Sequence, residues 1–247
     1  MSTIPKIIHQ TWKDENVPEC FHHWQCAVLA HHPSWEYRLW TDADARAFIA
    51  SCYPQDLPLY DALPRNIMRA DVLRYFLMDH FGGFYLDLDY EVLKPFDELC
   101  DRHALVLPCN RDSGDEGIES RWEVGNAIFG SVPGHPFWKQ VLDAFRKASP
   151  SADRVGLTPD VEKITGPQFL TDLIHLRSPL PEERVWLAPR RLFHPPLDNG
   201  QAPLPDALSE TTYGIHHCQG TWRLPHPKVP LLLRIVRRLN RFFGRSS

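Results

Sequence analysis

The sequence predicts an α/β domain whose sheet is at least partly parallel, and three observations carry that reading. Short apolar or alternating runs, Ile4 to Thr11 and Trp35 to Trp40, take turns with helical periodicities at Glu19 to Ala30 and Asp42 to Cys52. The clearest helix, Asn66 to Phe81, stops at Gly82-Gly83 and is followed by a strand-like run from Phe84 to Leu93. The length of 247 residues, with 43% hydrophobic and 23% charged content, suffices for one large hydrophobic core.

Each element has a local reason. Ile7-Ile8 is a short buried strand leading into polar His9, Gln10 and Thr11, and Thr41 or Asp42 is available to cap the helix at Asp42 to Cys52. Ile67, Ala70, Leu73 or Arg74, Leu77 and Phe81 recur at helical spacing. Further on, Ala104 to Cys109 reads as a strand, Gly125 to Gly130 as a short strand or turn, and Pro136 to Lys147 and Gln168 to Arg177 as helices. The proline-rich stretch Ser178 to Pro205 reads as a loop with one short strand at Arg184 to Leu187.

Composition narrows the function classes. No segment reaches the roughly 20 apolar residues that span a bilayer, and the N-terminus shows no signal-peptide pattern, so the default expectation is a cytoplasmic protein. Six widely spaced cysteines without a CxxC pair give neither a zinc ribbon nor a redox motif, and read as free thiols. Charge is divided unevenly. After Glu210 there is no acid but seven Lys or Arg residues, leaving 31 acids against 20 bases in the rest of the chain.

Asp87 and Asp89 stand two apart on the expected strand, so their side chains should share one side of it. Two adjacent carboxylates favour a hard divalent cation such as Mn²⁺ or Mg²⁺, which keeps positions open for substrate phosphates. Alone, the triplet reads more readily as a solvated acidic strand end, and its surroundings have to strengthen the metal reading. Asp71 and Arg74, three apart on a largely apolar helix, add an acceptor and a forked donor suited to sugar hydroxyls and phosphate oxygens.

Four ordered blocks carry a resemblance. Ile4-Pro5-Lys6-Ile7-Ile8-His9-Gln10-Thr11-Trp12, Arg69-Ala70-Asp71-Val72-Leu73-Arg74-Tyr75, Gly82-Gly83-Phe84-Tyr85-Leu86-Asp87-Leu88-Asp89 and Tyr213-Gly214-Ile215-His216-His217-Cys218-Gln219-Gly220-Thr221-Trp222 resemble the DXD-motif glycosyltransferase sugar-binding-region family. Fungal mannosyltransferases and bacterial capsular and lipopolysaccharide sugar transferases belong to that family, and the clostridial glucosylating toxins share its core. Thr221 replaces the more usual Ser and keeps the hydroxyl.

The resemblance implies a GT-A-like α/β/α sandwich with a mixed, mostly parallel central sheet. It further implies a metal-dependent, retaining hexosyl transfer from a UDP- or GDP-linked sugar to a saccharide or glycolipid acceptor. By the same resemblance Asp87, Asp89 and His216 would hold the metal, with His217 the second choice for the imidazole. Asp71 and Arg74 would hold the donor sugar; Ile8, His9, Gln10, Thr11 and Trp12 would line the base and ribose pocket. Asn126 would reach donor or acceptor, and Trp222 would close over the pyrophosphate. A Mg²⁺-dependent phosphotransferase or phosphohydrolase is the competing enzyme, but no phosphate-cradling GxxxxGK[ST] loop is present. A non-catalytic carbohydrate- or lipid-binding protein would not need the aspartates and His216 together.

The sequence divides into a catalytic domain over 1–227 and a basic amphipathic helix over 228–247. On a helical wheel Leu231, Leu232, Ile235, Val236, Leu239, Phe242 and Phe243 share an arc of about 140°. Arg234, Arg237, Arg238, Arg241 and Arg245 face the other way. That pattern fits an interfacial helix on the anionic, cytoplasmic face of a membrane, with docking onto the domain as the competing reading. The acidic body disfavours nucleic acid as a partner.

Overall fold

In the computed structural model, residues 3–111, 122–148, 160–176, 181–198, 202–204 and 207–220 are described. Trp222 and the expected C-terminal helix at 228–247 lie outside them. Four elements set the frame of the N-terminal half: β1 (Ile7–Thr11), α1 (Glu19–His31), β2 (Glu36–Trp40) and α2 (Asp42–Cys52). Thr41 opens α2 through a capping box, its hydroxyl accepting from Asp44 N–H while the Asp44 carboxylate accepts from Thr41 N–H. A short α3 (Leu57–Asp61) and the long α4 (Asn66–His80) follow.

Gly82 and Gly83 end α4 with φ of +64° and +85°. A side chain at Gly82 would place Cβ 2.5 Å from the Ser131 carbonyl, and one at Gly83 would meet the Ile7 carbonyl at 2.5 Å. Both the left-handed backbone and the closeness of the neighbouring chain therefore require glycine. The chain then enters β3 (Gly83–Leu86), turns, and continues as β4 (Tyr90–Val92), α5 (Asp97–Arg102) and β5 (Leu105–Arg111). The single strand expected over Phe84 to Leu93 is thus two strands in different sheets. Asp87 N–H donates to the Ala127 carbonyl, and Tyr90 N–H donates to the Asp87 carbonyl, closing a turn at that point.

The remaining elements are β6 (Glu123–Val124), β7 (Ile128–Ser131), α6 (Pro136–Lys147), α7 (Val161–Ile164), α8 (Pro167–Leu176), β8 (Val185–Ala188), α9 (Arg190–Phe193), β9 (Leu197–Asp198), β10 (Ala202–Pro203) and β11 (Gly214–His216). The central sheet has seven strands, ordered β2-β1-β3-β7-β5-β6, with β8 also on β5. β2, β1, β3, β5 and β8 run one way; β7 and β6 run against them. The sheet is mixed and mostly parallel.

Side chains alternate across this sheet into two cores. Tyr85, Leu105, Leu107 and Phe129 pack with α2, α4, α6 and α8 on one face. Phe84, Leu86, Val106 and Ile128 pack on the other with Val28 of α1, Leu99 of α5 and Phe193 of α9. The result is an α/β/α sandwich. Ser178 to Pro205, expected to be mainly loop, contributes β8 to the central sheet, in parallel register with β5 from Leu105↔Val185 to Pro108↔Ala188. Among the described residues, no helix is long and apolar enough to cross a membrane.

Candidate active site and metal centre

α4 is buried almost all round from Asp71 to Met78 because α2, α6 and β3 pack on different sides of it. Asp71 and Arg74 are only 2% and 3% exposed, so the helix holds both charges inside the protein. Such charges need partners. Asp71 Oδ1 accepts from Asn126 Nδ2 at 3.0 Å and faces Arg74 Nη2 at 3.3 Å, while Oδ2 accepts from the Thr165 hydroxyl at 3.0 Å. Arg74 donates to the Asn126 carbonyl, reaches Asp87 Oδ1 at 3.2 Å and lies over the Tyr85 ring at 4.3 Å. Burial pushes the Asp71 carboxyl up to about 7, with Arg74 and Thr165 pulling the other way.

Asp87, Leu88 and Asp89 occupy the turn between β3 and β4, so Asp87 and Asp89 are not side by side on a strand as the spacing had suggested. The turn itself brings them together. Tyr85 donates its hydroxyl to Asp87 Oδ1 at 2.8 Å, and Gln10 Nε2 donates to the Asp87 carbonyl at 3.1 Å. The third member arrives through the small sheet, where β11 runs antiparallel to β4 and pairs His216 with Tyr90. That register sets His216 Nε2 3.3 Å from Asp89 Oδ1 and 3.8 Å from Asp87 Oδ2. One ligand atom each from Asp87, Asp89 and His216 lies within 4.8 Å of the others.

Two carboxylates and an imidazole fit a divalent cation such as Mn²⁺ or Mg²⁺ with several positions left for water or phosphate. The two carboxylates also favour positive charge on the imidazole. Burial lowers the His216 pKa, but the bonds to Asp89 and Cys218 and the charge of both carboxylates raise it overall to about 10. Burial raises the Asp87 pKa against the pull of Arg74, whereas His216 and the Gln219 N–H outweigh burial and lower that of Asp89.

The clamp and the trio open into one cavity of about 670 Å³, whose walls include Thr11, Trp12, Asp71, Arg74, Asp87, Asp89, Asn126 and His216. Of the Ile8 to Trp12 segment, only Thr11 and Trp12 line it. Ile8, His9 and Gln10 are buried elsewhere, a correction to the expected pocket lining. Ile8 belongs to the core beneath the sheet. His9 Nδ1 accepts from the Trp40 indole at 3.0 Å, which leaves Nε2 to donate to the Gly82 carbonyl at 3.0 Å. Burial, opposed by that carbonyl, lowers its pKa to about 4, so it is a neutral fastener between β1 and the glycine turn. Gln10 ends a relay from Gln25 through Tyr37 to the Asp87 backbone.

His217 points away from the trio, bonded to Glu91 Oε2 at 2.8 Å and stacked on Trp24. Thr165 and Tyr85, whose hydroxyls donate to Asp71 and Asp87, were not expected from the chain. Their only signals were a hydroxyl beside the Gly166-Pro167 turn and a Tyr two residues before Asp87.

The fold and site together define the GT-A glycosyltransferase class of architecture. A solved structure, PaToxG glycosyltransferase, superposes with a TM-score of 0.52 at 18% identity, covering 71% of this chain and 70% of that one, which supports the fold. Residues 18–106 match the family described as "Glycosyltransferase sugar-binding region containing DXD motif". Inositol phosphoceramide mannosyltransferase 3 of Schizosaccharomyces pombe is 40% identical over 75% of this chain and 49% of its own length. Inositol phosphoceramide mannosyltransferase 2 of the same yeast is 43% identical over 60% of this chain and 40% of its own length. The chain spans about half the length of the curated relatives it matches.

Proposed function

We propose that the protein is a metal-dependent glycosyltransferase. It moves a hexose, with mannose the first candidate, from a nucleoside-diphosphate sugar to a hydroxyl of an inositol-bearing phospholipid or related glycolipid. The observation that carries this reading is one cavity that holds both a buried Asp71–Arg74–Asn126 clamp and an Asp87–Asp89–His216 trio. The names of the relatives supply the candidate sugar and acceptor.

In this reading Asp87, Asp89 and His216 hold the cation, which would supply positive charge for the departing diphosphate. Arg74, locked between Asp71 and Asp87, orients both carboxylates. Asp71 and Asn126 accept and donate toward the sugar hydroxyls. Trp12 offers an aromatic wall and a buried indole N–H with no partner among the described residues to the base or ribose. Retention at the anomeric carbon follows if the acceptor hydroxyl attacks from the leaving-group face, its proton passing to the departing phosphate. No protein general base is assigned to that step.

The basic segment 228–247 would bring the enzyme to an anionic membrane on the cytoplasmic side, a reading supported by its sequence pattern alone. Removing it from Pro230 onward should abolish pelleting with phosphatidylserine vesicles; undiminished pelleting rejects the role.

The direct test is transfer of labelled mannose from GDP-mannose to inositol phosphoceramide with Mn²⁺, with EDTA as control. UDP-glucose, UDP-galactose and UDP-N-acetylglucosamine are assayed alongside. Metal-dependent product with one of these donors is expected; absence of both turnover and metal-dependent binding with all four rejects the enzyme.

A further inference from the structure

His9, Gln10 and Thr11 follow one another on β1, and the first two are fully buried away from the cavity. Buried polar side chains cost stability unless they are bonded, so their partners show what they do. All three reach β3 or the turn that follows it. His9 Nε2 donates to the carbonyl of Gly82, the residue before β3. Gln10 Nε2 donates to the carbonyl of Asp87, the residue after β3. The Thr11 hydroxyl donates to that of Tyr85, whose own proton goes to Asp87 Oδ1.

β3 is only four residues long, and its register with β1 is Ile8↔Phe84 and His9↔Tyr85. Neighbouring residues of a strand point to opposite faces of the sheet. His9 therefore holds the start of β3 from one face, and Gln10 holds its end from the other. Both are backed by β2. The Trp40 indole donates to His9 Nδ1 at 3.0 Å, and the Tyr37 hydroxyl donates to Gln10 Oε1 at 2.8 Å. Gln25 Nε2 donates to the Tyr37 oxygen at 2.8 Å, which commits the phenolic proton to Gln10. With their acceptor atoms occupied in this way, the imidazole and the amide keep their donors aimed at β3.

We propose that His9 and Gln10 form a two-ended brace through which β2 sets the position of the Asp87–Asp89 turn, with Gln10 the positioning residue for Asp87. The Asp87 carbonyl accepts from Gln10 and from Tyr90 N–H, so loss of Gln10 removes one of its two holds. That the turn binds a cation rests on the glycosyltransferase reading above; the brace is a property of the metal-free chain.

Amide hydrogen exchange of the metal-free full chain tests the brace. Gln10→Met keeps the side-chain length and removes both bonds. The Asp87 and Tyr90 amides should then exchange about tenfold faster, while those of α6 stay protected. Val141→Ala, a core change in α6 remote from the brace, should not single out these two amides. Tyr37→Phe leaves Gln10 in place and should give a smaller increase of about threefold, with none in the Gln10→Met background. With Mn²⁺ as the probe, followed by EPR, Gln10→Met should bind about tenfold more weakly than wild type. Unchanged exchange at Asp87 and Tyr90 in Gln10→Met overturns the proposal, and so does a fully additive effect of Tyr37→Phe. If Gln10→Met does not fold, Tyr37→Phe decides alone, and wild-type exchange there overturns the proposal. Locally faster exchange in the variants of a protein that binds no Mn²⁺ leaves the brace standing while the metal reading falls.

Discussion

The clamp around Asp71 and the trio around Asp89 are both acidic and both partly buried, but they are balanced differently. In the clamp every charge meets a protein partner: Asp71 has Arg74, Asn126 and Thr165, and Arg74 has two carboxylates and a carbonyl. In the trio two carboxylates converge on one imidazole that holds its proton tightly, and Asp87 also faces Arg74 at 3.2 Å. The first arrangement finds its partners within the protein. The second brings three ligand-type atoms within 4.8 Å of one another, which suits the cation proposed above. A group closed on itself and a cation-suited group therefore share one cavity.

The largest effect that would break this comparison is at the trio. Asp89→Ala should reduce metal-dependent turnover by about three orders of magnitude, as expected for loss of a metal's charge stabilisation. Its metal-free melting temperature should change little relative to the clamp variant described next; unaltered turnover would falsify the metal assignment. Asp71→Ala should cost both activity and stability. It removes one of the two carboxylates that face Arg74 and the acceptor of the Asn126 amide and the Thr165 hydroxyl. With Asp87 still facing Arg74, the cost should be near the low end for a broken buried pair, about 3 kcal/mol, or roughly 10 °C in melting temperature for a chain of this size. The same activity loss with wild-type melting would show that the clamp is not a stability element.

Metal binding should also depend on pH, and the sign is fixed by His216. Its ring must lose a proton to ligate, and that proton is held up to about 10 in the metal-free protein. Apparent Mn²⁺ affinity should therefore rise with pH across 6 to 9, by up to about tenfold per unit. Calorimetry in two buffers of different ionisation enthalpy should find about one proton released; zero release contradicts the ligand role. In the metal-free state the same raised pKa adds stability that is present below about 6.5 and lost as pH climbs toward 10. Smallest is Tyr85→Phe, which removes the hydroxyl bonded to Asp87 and Thr11 and should cost about 1 kcal/mol of donor binding or stability. A null result would mean that Arg74 alone fixes Asp87.

Particular residues show why some of this was readable in the chain. Thr41 followed by Asp44, and Pro136 ahead of an apolar periodicity, are local signals, and α2 and α6 begin where they indicate. The break after Leu86 was not readable. Phe84 to Leu93 is strand-like throughout, and the turn exists because Asp87 N–H finds the Ala127 carbonyl and Tyr90 pairs with His216. Val185 to Ala188 looked peripheral among prolines and became a central-sheet strand because β5 offered it a parallel edge. Ile8, His9 and Gln10 illustrate the same limit within a motif: the block is legible, but which of its side chains face the cavity depends on Trp40, Gly82 and Asp87 arriving from elsewhere.

The sequence by itself determined the alternation of strands and helices, the helix carrying Asp71 and Arg74 on one face, and the acidic pair after Gly82-Gly83. Periodicity, capping and left-handed glycine are short-range effects that a few neighbouring residues specify. Only the tertiary structure decided that His216 rather than His217 meets Asp89, and that Asn126 and Thr165 complete the clamp. Those outcomes depend on strand register and on packing between segments far apart in the chain, where a one-residue slip reverses every side chain.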